Sequence, residues 1–317
     1  MTEAPSLASR TEAPLEALGH ARHAVNQVIL GKAEVVDLAF SALLAGGHLL
    51  LEDLPGVGKT TLAQAMSLSL GGDWQRIQFT NDMLPADIVG VSIFQREQEQ
   101  FEFRPGPIFA NVVLADEINR ATPRTQSALL EAMAERQITV DGHTYPLPEP
   151  FFVIATQNPL DLVGTYPLPD SQLDRFLLRT SIGYPSAAEE RRLLIEPDRR
   201  DLLARFDAAL DPAGVSELMA LAAALPVSEA LLDYIQSLIA ATRQHGALKA
   251  GLSPRAGLAL VRAARAWSLV NGLSYCAPEA VKAIFPSLAT HRLDTRPESG
   301  IEGSDVVDEI LRTTRVP

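Results

Sequence analysis

The 317-residue chain has a single cysteine, Cys276, so it can form no internal disulfide and cannot by itself build a cysteine-rich metal site. Basic residues are outnumbered: 27 Lys and Arg stand against 39 Asp and Glu, a formal net charge of -12. Nucleic-acid binding draws on Lys and Arg to neutralise phosphates, so this balance argues against DNA or RNA as the main partner. No apolar run approaches the ~18 residues needed to cross a bilayer. The opening MTEAPSLASRTEAP has neither the basic flank nor the apolar core of a secretion signal, and residues 1–14 read as a disordered lead-in. The six histidines show no metal-ligand spacing, and no Ser-His-Asp or Cys-His pattern stands out. Together these absences lead us to expect a cytoplasmic protein.

What is present is an ordinary globular balance, 47% hydrophobic and 21% charged. The length suits one large domain and one smaller one rather than a single compact core. Short apolar runs at 47–51, 75–79, 112–115, 151–156 and 176–182 read as buried strands, and helical stretches lie between them. That alternation predicts an α/β fold with a mostly parallel sheet over residues 15–184. Two segments break the alternation. Residues 92–94 and 101–103 flank a polar stretch and read as an exposed hairpin. Asp141-Gly142 marks a second hairpin turn between 137–140 and 143–147. Strand signals vanish after Ser186, and the Ala- and Leu-rich amphipathic segments that follow predict a helical domain over residues 185–317.

Three motifs carry chemistry. Leu54-Pro55-Gly56-Val57-Gly58-Lys59-Thr60-Thr61 lies between a predicted strand and a helix. Small residues let backbone N–H groups close around phosphate oxygens, Lys59 can reach the β- and γ-phosphates, and Thr60 can hold Mg²⁺. The motif departs from the usual pattern in one place, with Asp53 where the first glycine stands, and a Gly-Lys-Thr can also open a helix by chance. The second motif is an apolar strand ending in Asp116-Glu117. Asp116 can hold Mg²⁺ through its water shell and Glu117 can polarise an attacking water, although paired acids also end strands that merely face solvent. In the third, a strand ends in Gln157-Asn158-Pro159. Asn158 can orient the water or touch the γ-phosphate, or its Asn-Pro can simply start a turn.

The strings Phe101–Phe109, Leu114–Ala121, Gln126–Met133, Ala155–Pro159 and Tyr166–Phe176 closely resemble the MoxR family of AAA+ ATPases, a likeness that runs from about Val25 to Ala289. The resemblance implies an AAA+ core with a β-hairpin insert, an α-helical lid, and ATP and Mg²⁺ as cofactors. It matches Arg175 to an arginine finger that reaches a neighbouring subunit's ATP, and Arg255 to the sensor-2 arginine of the lid. A guanidinium suits either task because it stays protonated while phosphoryl charge develops; each could also be an ordinary surface ion pair. Ile29 and Gly31 resemble the stretch lining the adenine pocket, though Ile29 could equally be core. By the same resemblance the chain forms a homo-oligomer, expected to be a hexameric ring, and remodels a client or adaptor, among which proteins with a von Willebrand factor A domain stand out. The alternative is the ATPase subunit of a metal chelatase, which shares the hairpin insert.

Overall fold

The computed structural model describes residues 7–159, 164–196, 199–204 and 206–316. Two helices, α1 (Leu7–Val28) and α2 (Ala33–Leu44), lead into β1 (Leu49–Glu52) and α3 (Lys59–Ser69). The α1–α2 break falls where the helical pattern is interrupted, at Ile29–Lys32. α1, however, begins at Leu7, inside the stretch read as a lead-in; residues 1–6 lie outside the described residues. Pro14 sits within that helix, where its ring removes one backbone donor.

The chain continues through β2 (Trp74–Gln78), α4 (Pro85–Val89), β3 (Gly90–Gln95), β4 (Gln100–Pro105) and β5 (Val112–Asp116). Then come α5 (Pro123–Glu135), β6 (Gln137–Val140), β7 (His143–Pro146), β8 (Phe152–Gln157), α6 (Asp170–Leu173) and β9 (Leu178–Thr180). The last strand is shorter than the 176–182 run that predicted it. Five strands form one parallel sheet in the order β2-β5-β8-β1-β9.

Side chains alternate across a strand, and here each face has its own core. Leu49, Leu51, Leu114 and Ile154 join α1, α2 and α3 in one cluster. Leu50, Val113, Ala115, Val153 and Ala155 join α5 in the other. Burial on both faces is why the central strands read as continuous apolar runs rather than as alternating ones.

The two hairpins leave this sheet. β6 and β7 pair antiparallel around Asp141-Gly142, both at positive φ (51° and 79°), as the turn signal predicts. β3 and β4 pair from Gly90↔Pro105 to Gln95↔Gln100. The tip is polar, but beside it the Phe94 and Phe101 rings meet at a tilt of 59° with centroids 5.3 Å apart and stand 50% and 71% exposed.

After Thr180 the described elements are helical: α7 (Ala187–Ile195), α8 (Arg199–Leu203), α9 (Pro212–Ala224), α10 (Glu229–Gln244), α11 (Pro254–Val270), α12 (Pro278–Ala289) and α13 (Gly303–Thr313), with short 3₁₀ turns near 290 and 297. Ser186 and Glu189 form a capping box that starts α7 sharply after the last strand. The alanine-rich face of α11 (Ala256, Ala259, Ala263, Ala266) is buried in the same cluster as α2, small side chains that let helices approach closely. Among the described residues no single helix is long and apolar enough to cross a membrane. The bent pair α9–α10 passes that test by length and composition, but the two meet at 89°.

Candidate functional site

Parallel strands put their C-terminal ends on one edge, and ligands of α/β sheets bind outside that edge. β8 lies between β5 and β1, so the order of the sheet sets the buried Asn158 between the loop after β1 and the acid pair after β5. The loop turns through Gly56 (φ 84°) and Gly58 (φ 101°), conformations that only glycine adopts without strain. Space around both α-carbons is open. α3 then starts with no side-chain cap, so the amides of its first turn remain available to an anion. Lys59 is buried, and its Nζ donates to the Asp53 carbonyl at 2.8 Å. Thr60 and Thr61 follow half-buried in the same turn.

Asp53 does more than replace a glycine. It is buried, and its carboxylate accepts the backbone N–H of Ile182 and that of Gly183, the latter at 3.2 Å. The start of the phosphate loop is thereby tied to the segment joining sheet and lid. A second tie runs from the other side, where Lys32 Nζ donates to the Tyr184 carbonyl at 2.8 Å. Gly31, at φ 66°, abuts the lid so closely that a Cβ would lie 1.4 Å from Glu189 Oε1. These contacts frame a cleft of about 470 Å³ whose apolar end includes Val28, Ile29 and Leu30, facing Leu193 and Leu194 of α7, and whose polar end is the glycine loop with Thr61. Ile29 thus lines one cleft with Pro55, Gly56, Val57, Gly58 and Thr61, while Gly31 and Lys59 lie next to lining residues in the chain.

At the acid pair, Asp116 is buried, and Thr156 ties the Asp116 carboxylate to the Glu117 backbone. Thr156 Oγ1 donates to Asp116 Oδ1 at 2.6 Å and accepts the Glu117 N–H at 2.9 Å. Arg76 from β2 reaches Asp116 Oδ2 at 2.7 Å. Glu117 takes a left-handed backbone (φ 57°), which turns its side chain out of the strand's alternation. Gln78 Nε2 donates to Glu117 Oε2 at 2.9 Å, and Arg120 pairs with the same oxygen at 2.9 Å. Sequence reading passed over Thr156, although a hydroxyl in a fully buried apolar strand is a visible signal. Arg76 and Gln78 sit on a polar edge strand and carry no local signal.

Arg175 and Arg255 are not brought to this edge. Both line a separate cavity of about 220 Å³ beside Gly46, Gly47 and His48, the residues that enter β1 rather than leave it. The phosphate loop leaves the opposite end of the same strand. His48, on that entry side, is fully buried as the neutral imidazole. Its Nδ1 accepts the Val153 N–H at 3.0 Å and Nε2 faces the Met133 carbonyl at 3.2 Å, and burial pulls its pKa down to about 4.

The family model described as ATPase family associated with various cellular activities (AAA) matches residues 48–178, and a model of the AAA lid domain matches residues 240–310. The chain is 44% identical over 303 residues to an uncharacterised Bacillus subtilis protein, YeaC, covering 95% of each. It is 38% identical to Chaperone MoxR1 of Mycobacterium tuberculosis, covering 99% of this chain and 86% of that one. The crystal structure of a candidate ATPase from Cytophaga hutchinsonii superposes with a TM-score of 0.87 at 33% identity, covering 98% of this chain and 99% of that one.

Proposed function

The chain belongs to the MoxR family of AAA+ ATPases, and from that membership we propose that it hydrolyses Mg-ATP between the protomers of a homo-oligomeric ring and uses the resulting motion to remodel a client protein. The observation that carries the reading is the convergence of the open glycine loop, Lys59, Asp116, Glu117 and Asn158 on one sheet edge, beside a cleft wide enough for a nucleoside. The loop amides and Lys59 hold the phosphates. Lys59 exchanges its bond to the Asp53 carbonyl for them. Thr60 and Asp116 offer hard oxygen ligands of the kind Mg²⁺ takes, and the ion when bound neutralises phosphate charge. Glu117 accepts a proton from water as its oxygen attacks the γ-phosphorus. The bond to the bridging oxygen breaks, and ADP and phosphate leave. Asn158 orients that water.

Arg175 and Arg255 lie at the far end of β1 from their own loop, which supports a role for them at the next protomer's nucleotide. The exposed Phe94–Phe101 hairpin supports contact with a client or adaptor, and a von Willebrand factor A domain protein is our first candidate.

The test uses two inactive variants. Glu117→Gln and Arg175→Ala should each bind ATP and turn over at background. Mixed and allowed to exchange subunits, they should recover activity at interfaces that pair an intact Glu117 with an intact Arg175. Background turnover after confirmed exchange rejects the shared site. Capture of associated proteins by Glu117→Gln in ATP would identify the client.

A further inference from the structure

The cavity beside β1 holds more positive charge than two arginines account for. Arg136, Arg175, Arg255, Arg262 and Arg292 all line it, against the single acid Asp174. Arg292 is committed to the fold: it pairs with Asp174 at 2.7 Å and donates to the carbonyls of Phe176, Leu177 and Leu288. That pairing also uses up the acid. Arg136 donates to the Gly46 carbonyl at 2.9 Å and Arg175 to the Leu130 carbonyl at 3.1 Å, neutral acceptors that leave their charge uncompensated. Among the described residues no ion pair engages Arg136, Arg175, Arg255 or Arg262.

Arg255 and Arg262 are seven residues apart on α11, about 10.5 Å along the axis and on the same face, with Ala259 between them on the cavity wall. Both residues stay open to solvent where they line the cavity. Like charges gathered without an acid repel one another. Partial desolvation against the cavity wall, together with the nearness of Arg136 and Arg255, pulls the Arg262 pKa below the ordinary arginine value. Among the described residues that line the cavity no acid is left to relieve that repulsion, and an anion would. We propose that Arg262 is a further phosphate-contacting residue, which with Arg175 and Arg255 receives the triphosphate tail of the nucleotide held by the next protomer.

The size of the cavity favours a tail over a whole nucleotide. At about 220 Å³ it is smaller than the ~300–1,000 Å³ that enclosed organic ligands occupy, while arginines make up nearly all the charge of its lining. Its position excludes the protomer's own nucleotide, whose loop lies at the other end of β1. The proposal therefore rests on the shared-site reading above, and it adds a second arginine from the lid to that site.

Arg262→Ala should lower kcat of the assembled protein on the order of 10²-fold, the usual effect of removing one preorganised donor to developing charge. Nucleotide affinity of the isolated protomer and the melting temperature should match the parent, and Arg262→Lys should recover part of the rate. Mixing Arg262→Ala with Glu117→Gln should restore turnover, because one partner supplies the intact Arg262 and the other the intact Glu117. The Arg175→Ala and Glu117→Gln mixture runs alongside. If that control recovers and the Arg262 mixture does not, Arg262 does not act across the interface and the proposal falls while the shared site stands. If neither recovers after confirmed exchange, the shared-site reading fails and takes the proposal with it. A parental kcat in Arg262→Ala, as expected of a cavity that only collects free phosphate, also overturns it.

Discussion

Putting the usual glycine back at position 53 should damage this protein. Asp53 is buried, and its carboxylate accepts the amides of Ile182 and Gly183. Hydrogen bonds to a charged group contribute about 1.5–3 kcal/mol each, and an orphaned buried donor loses its desolvation energy in full. The Ile182 amide lies under buried chain and should count fully; Gly183 is half-buried, so water can replace part of its bond. With the conformational freedom a glycine adds, the loss comes to about 3 kcal/mol. For a chain of 317 residues that corresponds to a fall of roughly 4–5 °C in melting temperature. Asp53→Asn keeps one acceptor oxygen and should fall between. Because these bonds tie the phosphate loop to the segment that leads from the sheet to α7, the KM for ATP should rise with the same ranking, glycine above asparagine above parent. The assay is thermal melting without nucleotide, paired with steady-state hydrolysis. An Asp53→Gly protein that melts with the parent and keeps its KM would refute the argument and leave Asp53 a neutral departure from the motif.

Thr156→Val keeps the shape of a fully buried side chain but removes its bonds to Asp116 and the Glu117 amide, so it should cost about 2–4 kcal/mol and lower turnover more than nucleotide binding; unchanged denaturation and kcat would show that Glu117 keeps its backbone turn without it. His48 has a folded pKa of about 4 against 6.5 in the open chain, so below pH 6.5 the unfolded state takes up a proton that the folded state refuses. Stability should therefore fall as pH drops from 6.5 to 4, by about 3 kcal/mol in all for this group, and His291, pulled the same way, adds to the slope. Urea denaturation across that range should show a shallower slope in His48→Asn, and parallel slopes would refute the assignment. Replacing Phe94 and Phe101 together by Ser should change stability by no more than about 1 kcal/mol, since both rings stand in solvent, while client-stimulated hydrolysis falls; a large drop in melting temperature would instead make the hairpin part of the core.

Local pattern by itself determined a good deal of this protein. The glycine loop was legible because all of its working parts lie within eight residues between a strand and a helix, and the acid pair because it ends an apolar run. The parallel sheet followed from runs too uniformly apolar to have a wet face, and the second hairpin from one Asp-Gly turn. Those signals come from backbone sterics and burial acting over a few neighbours.

Only the tertiary structure decided which residues meet. Asp53 looked like a flaw in a motif until the fold set it against amides some 130 positions later. Thr156 became the anchor of Asp116 and Glu117 because β8 inserts between β1 and β5. Arg175 and Arg255 were named from resemblance, but their meeting at the entry end of β1 depends on the segment before β9 and on how α11, which also brings Arg262, docks against α2. Contacts across such distances arise from packing whole elements together, and no periodicity within a segment records which face of which element it will meet.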